Sequence, residues 1–138
     1  MIIRENTKEK ISNAQSVAKI LSAILKTEDR IDREKEHFWV IGLTTKNTVK
    51  FVDLVTLGTL TNTIVHPREV FRLAVLKGVA SIIAGHNHPS GNHDPSEDDL
   101  MITKRLKEAG KILGIELLDH VIIGNNGGFV SLKEKGVI

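Results

Sequence analysis

Fifteen residues, Gly85–Asp99, hold most of the side chains able to do chemistry: G-H-N-H-P-S-G-N-H-D-P-S-E-D-D. His86 and His88 are two positions apart, and in an extended backbone residues i and i+2 point to the same side. Two imidazoles leaving the end of a strand on one side can share a cation. Pro89 and Gly91 then turn the chain, Ser96 opens a helix, and Asp99 lies in its first turn. Two histidines and one carboxylate make three ligands, which leaves a tetrahedral zinc with one open position for water. Zinc lowers the pKa of that water to about 7, giving a nucleophile that can attack a carbonyl. The acids also have a plainer reading. Ser96 followed by Asp99 is close to a capping box, and Asp94, Glu97, Asp98 and Asp99 suit a helix N-terminus. Capping accounts for the acids but not for two histidines at the end of an apolar strand. Ser96 can serve both ends, with a lone pair for a backbone N–H and its hydroxyl facing a substrate.

Other uses of two histidines fit less well. A His-x-His on the first strand of a large barrel needs about 250 residues, and this chain has 138. Two histidines and a carboxylate also hold non-haem iron, expected on an all-β jelly roll that the helical segments here oppose. The HExxH zinc-protease signature is absent.

The elements that must position these residues read as follows. Residues 12–27 predict a helix, with Ala14, Val17, Ala18, Leu21, Ile24 and Leu25 at helical spacing and Ser12 or Asn13 as cap. Residues 26–36 carry nine charges in eleven and read as a solvated connection, the best candidate boundary before the main domain. His37–Thr44 reads as a buried strand, 45–47 as a turn, and Thr48–Leu57 as its hairpin partner. Gly58–Val65 reads as loop. A helix starts at His66-Pro67, runs to about Lys77 and stops at Gly78. Val79–Gly85 reads as an interior strand, and H-N-H-P-S-G as loop. A long helix spans about Ser96 to Leu113, stopped at Gly114. Ile115–Gly124 is another strand, 125–128 a turn, and Phe129–Leu132 a last strand. The order α-β-β-α-β-α-β-β predicts an α/β sandwich with a mixed, largely antiparallel sheet flanked by helices.

His86-x-His88, ten residues and Asp99, with Pro89 after the second histidine and Ser96 three before the aspartate, resembles the JAMM motif of MPN/JAB metallopeptidases. H-N-H-P-S-G, Pro95-Ser96, Gly58-Thr59-Leu60, H-P-R-E-V-F at 66–71 and L-D-H at 118–120 resemble the JAB domain of the RadC family. The resemblance covers about residues 32–138, so residues 1–31 are expected to form an N-terminal helix and charged connection outside an MPN/JAB domain of cytidine-deaminase-like sandwich type. It does not extend to the helix-hairpin-helix domain of longer members, and the family's DNA-repair label finds no support in these residues. The resemblance implies that His86, His88 and Asp99 bind Zn2+. It implies that Glu36, just before the H-F-W-V-I-G-L strand, is general base and then acid, with Glu34 an alternative two residues away on the same parity. It implies that Ser96 stabilises the oxyanion. The expected activity is zinc-dependent hydrolysis of a peptide or isopeptide bond, with specificity set by residues 59–65 and the loop 89–95.

The remaining histidines and Trp39 have simpler expected places. His93 is a loop residue that could rim the site or, as a fourth ligand, close it. His120 is expected to be a satisfied core histidine or a support for the site, His66 a helix-start residue, and Trp39 core.

Composition narrows the rest. Hydrophobic residues are 41% and charged residues 26%, enough for a packed core. The absence of cysteine removes disulfides, thiolate metal sites and thiol nucleophiles. No apolar run approaches the roughly 20 residues that span a bilayer, and the first ten residues do not read as a signal peptide, so a cytoplasmic protein with no membrane partner is expected. A net charge of +2 makes nucleic acid an unfavoured partner. A module that recruits a protein or nucleic-acid partner through an intact metal site is the alternative function, and direct DNA binding or hydrolysis the weakest.

Overall fold

A computed structural model describes residues 1–59, 64–124 and 126–138. Along them run β1 (Ile2–Glu5), α1 (Ala14–Lys26), α2 (Arg30–Arg33), β2 (His37–Leu43), β3 (Val49–Leu57), α3 (Pro67–Lys77), β4 (Ser81–His88), α4 (Glu97–Leu113), β5 (Glu116–Gly124) and β6 (Phe129–Ser131). The strands form one six-stranded sheet in the order β1-β3-β2-β4-β5-β6. Only β4 and β5 pair in parallel, across the α4 crossover that a parallel pair requires. This is the mixed, largely antiparallel sheet flanked by helices that the residue pattern predicts.

Every residue of β2 is buried, which happens when a strand lies inside a sheet covered on both faces. Strand parity sorts its side chains. Trp39, Ile41 and Leu43 join the cluster built on Val17, Leu21 and Ile24 of α1. Phe38 and Val40 join the cluster containing Phe71 of α3 and Ile102 and Leu106 of α4. In β4, Ile83 belongs to the α1 cluster, and Ile82 and Ala84 to the α3–α4 cluster. Continuing the alternation, His86 and His88 lie on the α4 side of the sheet. The helices end as their residues dictate: Asn13 and Ser16 form a capping box on α1, and Gly78 and Gly114 close α3 and α4 in the left-handed conformation.

Four features differ from the sequence reading. First, β4 continues through His88 instead of ending at Gly85, because both its edges are paired there: Phe38 opposes His86, while Ile122, Ile123 and Gly124 run beside His86, Asn87 and His88. Pro89 ends the strand without excluding the histidines from it. Second, β1 adds to the open edge of β3. Its four residues, I-I-R-E, carry no alternating pattern that would announce a strand. Third, the charged stretch holds one turn of helix, α2, capped by Asp29. Fourth, that stretch is not solvated throughout, since Glu28 pairs with buried His37. The expected loop at 58–65 and turn at 125–128 lie partly outside the described residues, at 60–63 and 125.

The α1 helix approaches β4 closely: a Cβ at Gly85 would stand 2.3 Å from Leu21 Cδ1. Leu21 is fully buried. Leu21→Ala is expected to lower unfolding free energy by about 2–5 kcal/mol, read by urea denaturation. A loss within the scatter of surface substitutions would mark α1 as an appendage rather than a layer of the core.

Candidate metal centre

His86 and His88 leave the end of β4 on one side and meet Asp99, in the first turn of α4. One donor atom from each lies within 4.8 Å of the others, so the three can hold a metal ion. His86 Nε2 is 3.1 Å from Asp99 Oδ1, and His88 Nε2 is 3.1 Å from Asp99 Oδ2. These spacings approach the edge, about 3.3 Å, of a tetrahedral shell with bonds of roughly 2.0–2.1 Å. His86 and Asp99 are buried, while His88 remains 15% exposed, which gives the group a way to solvent.

Each donor is oriented from behind. His88 Nδ1 lies 2.8 Å from the carbonyl oxygen of Asn92. A carbonyl only accepts, so Nδ1 carries the proton and Nε2 is left for a metal. Asp99 is both ligand and cap. Its Oδ2 accepts from the Ser96 backbone N–H at 2.8 Å, and its own N–H donates to Ser96 Oγ at 3.1 Å. The capping and metal readings of these residues therefore hold together. Burial pushes the Asp99 carboxyl up, but hydrogen bonds from His86 and His88 outweigh it and hold the group well below the usual carboxylate range. The bond to Asp99 in turn raises His88 above the usual histidine value, against the opposing effect of burial.

The other residues singled out in the sequence lie as follows. Glu36 and His88 line one open cleft of about 550 Å3, with Glu34, Gly58, Thr59, Pro89 and Ser90. Glu36 is half-buried, whereas Glu34 is exposed at the end of α2, and the Glu36 charge acts on His88. The backbone around Glu36 is held by Asn87, the residue between the two histidines. Asn87 Oδ1 accepts from the His37 N–H at 2.6 Å, and Asn87 Nδ2 donates to the Lys35 carbonyl at 3.0 Å. The Glu36 carbonyl accepts from the Gly58 N–H at 2.9 Å. Ser96 is exposed and bonded to Asp99, but it is not among the described residues that line this cleft. His93 is not a member of the donor group found among the described residues, and its ring packs against Gly128. His66 is the N-cap residue of α3, and Trp39 is fully buried. His120 is buried too, but it is bonded to His86 at 3.0 Å, so a core histidine and a support for the site are the same residue. Burial, aided by the nearby His86, pushes it down to about 3, so it is neutral. Thr103, bonded to His120, was not foreseen, because a threonine inside an amphipathic helix gives no signal in sequence.

A sheet with this topology and a His-x-His…Asp group at the end of β4 defines a JAB-type domain. Residues 11–137 match the model of the RadC-like JAB domain, and the chain belongs to that family. It is similar to UPF0758 proteins: 51% identical to one from Desulforamulus reducens over 80% of this chain and 48% of that protein. It is 52% identical to one from Clostridium kluyveri over 85% and 51%, and 59% identical to one from Listeria innocua over 74% and 45%. The chain spans about half the length of these curated relatives. Among the described residues no helix is long and apolar enough to cross a membrane.

Raised His88 makes a prediction with a definite sign. In the metal-free protein its pairing with Asp99 adds stability that is fully present below the ordinary histidine value, about 6.5. That stability is lost as pH rises through the raised folded value. Metal binding needs the neutral imidazole and therefore strengthens with pH. Between about pH 5.5 and pH 8, the metal-free Tm advantage of wild type over His88→Gln should shrink, while the Tm gain on adding zinc to wild type should grow. Opposite trends in calorimetry would contradict the pairing.

Proposed function

We propose that this chain is a zinc-dependent hydrolase of peptide or isopeptide bonds. The observation that carries the reading is the buried His86–His88–Asp99 group opening through His88 onto a cleft that Glu36 also lines. The donor set suits zinc: two neutral imidazoles and one carboxylate, with no further His or acidic member in the group among the described residues. Zinc held there would supply Lewis acidity, acidifying water and polarising a carbonyl.

The protein's own residues then divide the work. His86, His88 and Asp99 hold the ion. Glu36 takes a proton from the attacking water as its oxygen bonds to the carbonyl carbon. When the carbon–nitrogen bond breaks, the same carboxyl gives that proton to the leaving amine. Ser96 Oγ accepts from the Asp99 N–H, which uses a lone pair and not the hydroxyl hydrogen; that hydrogen is the one proposed to go to the developing oxyanion. Glu36 is favoured over Glu34 by its half-burial, its action on His88 and the Asn87 clamp on both sides of it. Peptide or protein is the proposed substrate, with Thr59 and the loop from Pro89 bordering the cleft; residues 60–63, also expected to shape specificity, lie outside the described residues.

Elemental analysis of purified protein should find about one zinc per chain, lost in Asp99→Ala and in His88→Ala. Glu36→Gln should keep the metal and lose at least ~100-fold in cleavage of fluorogenic peptide and isopeptide substrates, with Glu34→Gln active. Zinc-free wild type, even after zinc is added back, would sink the hydrolase reading. Metal-loaded wild type that cleaves no substrate but captures a partner would favour the recruitment module instead.

A further inference from the structure

Behind the donor group runs a chain of three hydrogen bonds. His86 Nδ1 is 3.0 Å from His120 Nε2, His120 Nδ1 is 2.6 Å from Thr103 Oγ1, and Thr103 Oγ1 is 2.6 Å from the carbonyl oxygen of Asp99. All these side chains are buried. The chain begins on one member of the donor group and ends on the backbone of another. Phe38 packs against both imidazoles, stacked on His86 and edge-on to His120.

Proton counting gives the chain a direction. The Asp99 carbonyl has no hydrogen to give, so Thr103 must spend its single hydroxyl hydrogen there. Thr103 Oγ1 is then an acceptor toward His120, which must carry its proton on Nδ1. His120 is fully buried and its two ring nitrogens face His86 and Thr103, with no carboxylate against either, so it carries a single ring proton; its Nε2 then accepts, and His86 donates from Nδ1. With Nδ1 engaged in this way, Nε2, the atom facing Asp99, is the nitrogen left to exchange its proton for a metal. Reversing the chain fails at its last link, because a carbonyl cannot donate.

We infer that Thr103 and His120 are positioning residues that hold His86 in its metal-binding tautomer, a relay anchored on the backbone of Asp99 itself. The inference rests on the metal-binding part of the proposed function and not on hydrolysis. Outer partners of metal-bound histidines typically matter by roughly 10–100-fold in metal affinity.

Thr103→Val removes the hydroxyl while keeping the side-chain shape, and Thr103→Ser keeps the hydroxyl. Neither touches a donor atom. With Zn2+ titrated against a chromophoric chelator, Thr103→Val should bind roughly tenfold more weakly than wild type, and Thr103→Ser should bind like wild type. Thr103→Val is also expected to lower the metal-free Tm, because the buried His120 Nδ1–H loses its acceptor, so zinc affinity is compared at a temperature where both variants are folded. A purely structural role for Thr103 would move Tm and leave zinc affinity alone. In wild type, 15N NMR of the histidine rings should show His120 protonated on Nδ1 and not on Nε2, with and without zinc. Equal zinc affinity of the valine and serine variants, or a proton on His120 Nε2, would overturn the relay while leaving zinc binding by wild type intact. Wild type that binds no zinc would overturn the metal reading and the relay with it.

Discussion

The structure is organised around one buried carboxylate. Asp99 is 2% exposed at the start of α4, and an ionised carboxylate in that position costs several kcal/mol unless it is paired and hydrogen-bonded. The compensation comes from separate parts of the chain. The Ser96 N–H and the N-terminus of α4 provide backbone hydrogens and dipole. His86 and His88 provide imidazoles from β4. Each contribution fixes geometry. α4 must begin at Ser96, β4 must extend past Gly85, and the residues between must bring the two ends together. A divalent cation would complete the same arrangement, offering the carboxylate a full charge while both imidazoles are neutral.

Much of this was legible before the structure, for a physical reason. Alternation in β2 and β4 is dictated by two apolar clusters on opposite faces of one sheet, so parity alone places His86 and His88 together. The spacing from Ser96 to Asp99 is a local helix-capping relation, equally visible in sequence. What was hidden depends on distant pairing. β1 is a strand because β3 has an open edge, not because I-I-R-E favours one. The histidines remain in β4 because neighbouring strands satisfy their backbone groups, and a local Pro-Gly signal does not register those neighbours. Thr103 and His120 are 17 residues apart, and their contact depends on how α4 lies over β5.

The strand that carries the two histidines also positions Glu36. Asn87 stands between the two histidines, and its amide takes hold of the backbone at Lys35 and His37. An amide both donates and accepts, so it can satisfy a carbonyl and an N–H at once. The effect is to continue β2 beyond its regular ladder and to hold Glu36 beside the end of β4. The charged stretch from 26 to 36, which in composition resembles any solvated connection, is thereby tied to the site. Glu28 adds a second anchor through its pair with His37, whose ring stacks on Trp39.

These ties explain why α1 cannot be considered apart from the chemistry. It packs on the face of the sheet opposite α4, yet Leu21 occupies the space that a side chain at residue 85 would need. Residue 85 directly precedes His86, so α1 packs on the strand that carries both histidines. Trp39 and Ile41, which α1 covers, belong to the strand that begins just after Glu36. The two faces of the sheet therefore meet at one strand end. α4 brings the acid and its cap, while α1 supports the strands that bring the imidazoles and the glutamate.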